Sequence, residues 1–220
     1  MQRGIFVTGT DTNVGKTVLS AALMVRYRGE APLKYWKPVQ TGIEHDDDAR
    51  EVARLAGMPA IHDQGVRLPH PVSPHLAARL AGTRITVRSL LEHINGGGDD
   101  TRWIVEGAGG VLVPLNERET MADLMCALDL PVLVAARSTL GTINHTLMTV
   151  EALRRRRLRV AGVVMVGDAN DENRLAIETY GAAEVIAQMP RFDPLTPDAL
   201  ERWVHAEFDR SGVLFVGGLR

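Results

Sequence analysis

The segment from Gly4 to Thr17, GIFVTGTDTNVGKT, constrains the fold more than any other part of the chain. An apolar β-forming run ends in Thr8-Gly9, a turn follows, and Gly15-Lys16-Thr17 opens a stretch with helical periodicity. Strand, loop and helix in that order are the setting of a phosphate-binding loop. Backbone N–H groups at the helix start face the phosphates, Lys16 supplies a point charge near the β and γ groups, and the Thr17 hydroxyl is placed to ligate magnesium. The spacing is unusual. The pattern G-x-x-x-x-G-K-[ST] would put its first glycine at Thr10, whereas Gly9 stands one residue earlier.

Such a strand needs parallel neighbours, and the chain supplies them. Expected strands are Gly4–Thr8, Leu33–Val39, Trp103–Glu106, Val132–Ala136, Val160–Val166 and Val185–Gln188. Expected helices are Lys16–Arg28, Asp48–Ala56, Pro74–Ala81, Val87–Asn95, Met121–Leu128, Thr142–Arg155, Asn170–Tyr180 and Pro197–Asp209. The strand runs are apolar on both faces, as parallel strands covered by helices on each side require. The alternation predicts an α/β fold: one doubly wound, mostly parallel sheet with helices on both faces, P-loop NTPase-like, formed by residues 1–220 as a single domain. Val213–Val216 is expected as an edge strand, and Gly96–Gly98 with Asp99 and Asp100 as a surface turn.

Twenty-five Lys and Arg against 27 Asp and Glu give a net charge of −2, which argues against nucleic-acid and membrane-surface partners. The run Arg154–Arg157 reads as the solvated end of a helix, where cations suit the dipole. The single cysteine, Cys126, excludes an intramolecular disulfide framework, and its apolar surroundings predict a core position rather than a nucleophile. The seven histidines show no metal-ligand spacing, so a zinc site is not expected. No apolar run approaches the roughly 20 residues of a membrane-spanning helix, and MQRGIFVTG lacks a signal-peptide pattern, so a cytoplasmic location is expected.

Beyond the loop, Lys37 and Glu106 each fall at the C-terminal end of an expected strand, the edge where sites of open parallel sheets form. A carboxylate there, beside a phosphate loop, is a magnesium candidate. Asp46, Asp47 and Asp48 precede a helix, and any of them serves equally as an N-cap.

Four segments in order make the chain resemble the dethiobiotin synthetases: GTDTNVGKT at the loop, YWKPVQTG at Tyr35–Gly42, VEGAGGVLVP at Val105–Pro114 and LGTINHTL at Leu140–Leu147. An SPH sequence at Ser73–His75 adds to the likeness, which fades after Gly167. The resemblance implies ATP-dependent closure of a ureido ring on 7,8-diaminopelargonic acid with carbon dioxide, giving dethiobiotin, ADP and phosphate through a phosphorylated carbamate. It also implies ATP as co-substrate, Mg2+ as cofactor and a homodimer. On this resemblance Lys37 and Lys16 are the catalytic cations, Lys37 contacting the carbamate and the transferred phosphoryl group. Nucleotide contacts are implied for Thr12, Asn13, Val14, Gly15, Lys16 and Thr17, and for Asp48, Glu106, Gly107 and Gly109. At the base end they are Gly167, Asp168, Pro190, Arg191 and Phe192, with Asn170-Asp171 as second choice. Thr17, Asp48 and Glu106 are the implied magnesium ligands, Asp47 being the fallback for Asp48. Thr41 stands where the family usually has serine and keeps the hydroxyl that binds the carbamate. Gly141, Thr142, Ile143 and Asn144 of the partner subunit are implied to receive the substrate's distant carboxylate, and His145 suits helix packing as well as a role in that motif.

Two rival readings share part of the loop. Synthetases acting on cobyrinic acid carry a glutaminase domain with a nucleophilic cysteine, for which this chain is expected to be too short and Cys126 misplaced. Partitioning ATPases read KGGxGKT, and their signature lysine aligns with Asp11, which cannot donate to a partner's phosphates.

Overall fold

The computed structural model describes residues 3–44, 46–57, 61–62, 65–94, 100–209, 212 and 214–215. The elements run β1 (Arg3–Gly9), α1 (Lys16–Arg26), β2 (Leu33–Trp36), β3 (Val39–Thr41), α2 (Asp48–Ala56), β4 (Ile61–His62), β5 (Val66–Leu68), α3 (Pro74–Leu80), α4 (Val87–His93), β6 (Arg102–Gly110), α5 (Met121–Leu128), β7 (Val132–Arg137), α6 (Thr142–Arg155), β8 (Val160–Val166), α7 (Asp171–Gly181), β9 (Val185–Met189) and α8 (Pro197–Glu207). The main sheet has seven parallel strands in the order β4-β2-β6-β1-β7-β8-β9.

Alternating side chains send each strand into two apolar layers. Ile5 and Val7 join Leu19 and Leu23 in a layer closed by α1, α2 and α8, while Phe6 joins Met121 and Met125 in one closed by α3 to α7. This is the doubly wound arrangement. Chain order and strand order part at β1: the chain crosses from β1 to β2 on one side, and from β6 over β1 to β7 on the other. The loops after β1 and β6 therefore flank the crevice where such sheets bind ligands.

The expected strand Leu33–Val39 is in fact two. β2 stops at Trp36, and after Lys37 and Pro38 the chain leaves the main sheet and pairs as β3 with β5 in a small parallel sheet. Pro38 has no N–H to continue the first ladder, and its carbonyl accepts from the Val66 N–H at 2.9 Å. β4 and β5 are too short to leave a period-2 signature in the sequence. β6 runs past Glu106 to Gly110, which pairs with Gly9 after a shift of register. Other element ends fall within two residues of expectation.

Three further expectations are corrected or left aside. Cys126 is exposed, not in the core: α5 turns Met121, Leu124, Met125 and Leu128 inward, and position 126 falls on its outer face. Leu214 and Phe215 form a turn instead of the middle of an edge strand, and the Val213 and Val216 ends of that strand lie outside the described residues. The Gly96–Gly98 turn and Asp99 also lie outside them. The arginine run is a helix end as expected, with Arg154 donating to the carbonyls of Gly181 and Ala182, each at 2.6 Å.

Leu133 is fully buried in β7, near the middle of the sheet, whereas Leu175 on α7 is exposed. Leu133→Ala is expected to lower unfolding free energy by about 2–5 kcal/mol, and Leu175→Ala to change it by no more than about 0.5 kcal/mol. Urea titrations of the two variants against wild type measure both.

Candidate active site

The phosphate loop is shaped by two glycines. Gly15, directly before α1, has φ +92°, which disfavours any residue with a Cβ. Gly9 is needed for space: a Cβ there would stand 2.6 Å from Val14 Cγ2 and 2.9 Å from the Asp11 carbonyl. The loop folds back over the early glycine and so accommodates its extra residue. Lys16 Nζ donates to the Asp11 carbonyl at 2.9 Å. Arg137, at the end of β7, donates to Asp11 Oδ2 at 2.6 Å and ties the loop to the sheet.

Behind the loop lies Glu106, with no exposed surface. A buried carboxylate is costly unless it is paired and hydrogen-bonded. Its Oε1 accepts from Lys37 Nζ at 2.8 Å and Thr17 Oγ1 at 3.1 Å; its Oε2 accepts from Ser20 Oγ and Tyr35 OH, both at 2.9 Å. The Thr17 hydroxyl also lies 2.8 Å from Asp48 Oδ1, so its one proton is shared between two carboxylates. Lys37 Nζ completes the cluster, 2.6 Å from Asp48 Oδ2 and 3.2 Å from the Gly107 carbonyl.

Electrostatics separates the two lysines. Burial pulls the Lys37 ammonium down, but Glu106 and Asp48 outweigh it and hold its pKa above the ordinary lysine value. For Lys16, burial first and the Lys37 charge second bring the pKa down to about 8. Burial pushes the Asp48 carboxyl up, and Lys37 overcomes this to hold it below its usual range. The Tyr35 phenol is pushed well up by burial and by Glu106, so it remains a donor.

These groups open on a cleft of about 830 Å³, within the range of small-molecule sites. One wall is the phosphate loop. The other is carried by the small sheet and the segment after it, with Val39, Gln40, Thr41 and residues 71–74. Gln40 Nε2 donates to the carbonyls of Thr41 and Asp46, at 3.1 and 3.2 Å, joining β3 to the turn before α2.

Of the residues expected from the sequence, Thr12, Asn13, Gly15, Lys16, Thr17, Lys37, Thr41, Asp48, Glu106 and Gly109 line this cleft. Val14 instead sits in the apolar layer with Leu19. Asp47 caps α2 by accepting from the Arg50 N–H at 3.1 Å, and Asp48 is the one turned to Thr17 and Lys37. Glu106 does not end its strand, yet it stands opposite Val7, level with the start of the loop region. Gly107 faces away, since a Cβ there would lie 2.9 Å from the Phe6 ring.

The base-end candidates lie beside the loop rather than in the cleft. Gly167 and Pro190 directly follow Val166 and Met189, which pack where a Gly15 Cβ would point, at 3.0 and 3.4 Å. Asp168, Pro190 and Arg191 are exposed, and Phe192 packs edge-on against Trp203 at 6.2 Å. Asn170 caps α7 and Asp171 accepts from Gln188 Nε2 at 2.8 Å, so the second-choice pair is engaged within the fold. Gly141, Thr142, Ile143 and Asn144 begin α6 outside the cleft. Gly141 and Asn144 are exposed, while the Thr142 hydroxyl is buried against Thr146 at 3.4 Å. His145 is exposed, so among the described residues it is not the buried helix-packing side chain of one expectation.

Ser20 and Tyr35 were not foreseen as site residues. Periodicity contained the signal: Ser20 lies one helical turn beyond Lys16 and Thr17, and Tyr35 precedes Lys37 by two residues.

The lowered Lys16 pKa predicts proton uptake when nucleotide binds. Phosphates beside the amine raise its pKa, so a site that has lost the proton must regain it. Uptake is expected to be near zero at pH 6.5, about half a proton near pH 8 and close to one at pH 9, with affinity falling as pH rises through that window. Calorimetry in buffers of different ionisation enthalpy measures it. Lys16→Arg, which keeps its charge, is expected to abolish the uptake, and equal uptake in that variant would refute the assignment.

A family model described as an AAA domain matches residues 3–199. The chain is 52% identical over 194 residues to the ATP-dependent dethiobiotin synthetase BioD of Paramagnetospirillum magneticum, covering 88% of this chain and 91% of that relative. It is 42% identical over 212 residues to the protein of the same name from Agrobacterium fabrum, covering 96% of each. Among solved structures it is similar to a ParA family ATPase from Chlorobium tepidum TLS, with TM-score 0.55 and 9% identity over 92% of this chain and 98% of that one. It is similar also to the MinC:MinD cell division protein complex of Aquifex aeolicus, with TM-score 0.53 and 14% identity over 97% and 92% of the two chains. Identities that low show the P-loop NTPase-like fold alone. Identity of about half, sustained along nearly the whole of a named relative, says more: the chain belongs to the dethiobiotin synthetase family.

Proposed function

We propose that the cleft performs the reaction of the family, closing a ureido ring on 7,8-diaminopelargonic acid with carbon dioxide and ATP to give dethiobiotin, ADP and phosphate. The observation that carries this reading is the buried cluster in which Lys37 joins Asp48 and Glu106 at the start of the phosphate loop helix, beside Lys16. In the reaction one amine attacks carbon dioxide, forming an N–C bond and releasing a proton. A carbamate oxygen then attacks the γ-phosphorus as the bond to ADP breaks. The second amine attacks the carbonyl carbon, and phosphate leaves as the ring closes with loss of a proton.

The carbamate and the γ-phosphate are both anions, so the protein's work is positioning and charge neutralisation. Lys16 faces the polyphosphate from the helix start. Lys37 keeps its charge because two carboxylates flank it, and it neutralises the carbamate and the moving phosphoryl group. Thr41 offers the carbamate a hydroxyl from the opposite wall. The donor set fits magnesium, since the Thr17 hydroxyl and the Asp48 and Glu106 carboxylates are hard oxygens grouped within 2.8 and 3.1 Å of that hydroxyl. When bound, the ion adds positive charge at the β and γ phosphates. Gly167, Asp168, Pro190, Arg191 and Phe192 are assigned to the nucleotide's outer end because the strands they follow abut Gly15.

We assign the whole chain to one domain that works as a homodimer. Leu140 and Met148 at α6 and Tyr180 on the neighbouring α7 are exposed apolar side chains suited to a partner surface. The α6 start, with the outward N–H groups of any helix beginning, would then receive the carboxylate of a substrate held by the other subunit.

Phosphate release by the purified protein is expected to require both diaminopelargonate and bicarbonate, and release that ignores the diamine would overturn the assignment. Lys37→Ala is expected to lower kcat by about 10²–10³-fold with little change in nucleotide affinity, whereas Lys16→Ala weakens both. Near-normal turnover in Lys37→Ala would remove it from the mechanism. Mixing inactive Lys37→Ala chains with inactive chains altered at Gly141–Asn144 is expected to restore activity through one intact site per heterodimer. No rescue in demonstrated heterodimers would rule out the shared site.

A further inference from the structure

The two oxygens of Glu106 serve different neighbours. Oε1 meets Lys37 and Thr17, both of which line the cleft. Oε2 meets Ser20 and Tyr35, both fully buried, each donating a hydroxyl proton at 2.9 Å. A carboxylate offers about four lone-pair positions over its two oxygens, so two donors fill Oε2. We propose that Tyr35 and Ser20 are positioning residues that make Glu106 a one-oxygen ligand and thereby select magnesium over calcium. The proposal rests on the magnesium reading given above.

The two ions ask different things of a carboxylate. Magnesium takes six oxygens in a tight octahedron at about 2.0–2.1 Å, whereas calcium takes six to eight at about 2.3–2.6 Å and readily binds both oxygens of one carboxylate. For Glu106 to bind an ion through both oxygens, Oε2 would have to release two buried hydroxyls. Each buried donor left without an acceptor carries a desolvation penalty. Calcium would lose its favoured two-oxygen contact, whereas magnesium needs Oε1 alone, whose two donors, Lys37 and Thr17, open on the cleft and have other oxygens there to turn to. The orienting hydroxyls sit on the same two segments as the charged groups: Ser20 follows Thr17 on α1, and Tyr35 ends two residues before Lys37. The orientation of Glu106 is therefore set by the pieces that build the site.

Calorimetric titration of Mg2+ and of Ca2+ into the ADP-saturated protein tests this. Tyr35→Phe keeps the ring and its volume, and a melting curve verifies that it folds; Ser20→Ala is the second variant. The Mg2+-to-Ca2+ affinity ratio is expected to fall about tenfold in Tyr35→Phe, with a shift in the same direction in Ser20→Ala. An unchanged ratio overturns the proposal, and so does equal weakening of both ions, which is what a loosened fold would produce. Failure of the magnesium reading looks different: Glu106→Gln would then bind Mg2+ as tightly as wild type, and the proposal would fall with it.

Discussion

A carboxylate denied water, Glu106, is the constraint around which the site is arranged. Its charge is tolerated only because four side chains reach it, and those side chains arrive from α1, from β2 and from the link after β2. None of the four is local to Glu106 in sequence. The fold must bring β1, β2 and β6 side by side before the cluster exists, and the cluster in turn fixes how α1 lies over them. Lys16 and Lys37 illustrate how strongly this matters. They are 7% and 8% exposed, yet their proton affinities move in opposite directions. Lys37 has two carboxylates within 2.8 Å; Lys16 has a backbone carbonyl at 2.9 Å. One lysine is held charged by the protein's own carboxylates, and the other gives up its proton more readily, near pH 8.

Much of this was legible in the chain because its signals are periodic. Strands apolar on both faces specified a parallel sheet between helices, and the loop ending in Lys16-Thr17 fixed where the phosphate end of the site lies. What periodicity could not show was the change of sheet at Pro38, because β3 and β5 are three residues long and pair with each other in a sheet of their own. Three adjacent aspartates were likewise ambiguous: each fits an N-cap, and only the position of α2 against α1 shows that Asp47 caps while Asp48 turns inward. Cys126 misled for a related reason. An apolar neighbourhood in sequence says little about which face of a helix a single position occupies.

The fold neighbours put the loop in perspective. The likeness to the ParA family ATPase and to the MinC:MinD complex, at identities of 9% and 14%, is a likeness of scaffold alone, and chemistry is read from the site. In this chain Lys37 stands just past the end of β2, before Pro38, and β3 and β5 build the second wall across from the phosphate loop. The scaffold supplies a place for phosphates, and the excursion between β2 and β6 supplies a place for something beside them.

The tether between Asp11 and Arg137 belongs to another electrostatic regime than the cluster beneath it. Its two side chains are 50% and 39% exposed, so the pair contributes no more than about 1 kcal/mol and is screened over roughly 8 Å at physiological ionic strength. The Lys37, Asp48 and Glu106 contacts are shielded from mobile ions by their burial. Added salt therefore loosens the outer strap of the loop while leaving the inner charges almost untouched, and the ionic strength of the medium acts on how the loop is held, not on how the buried cluster is charged.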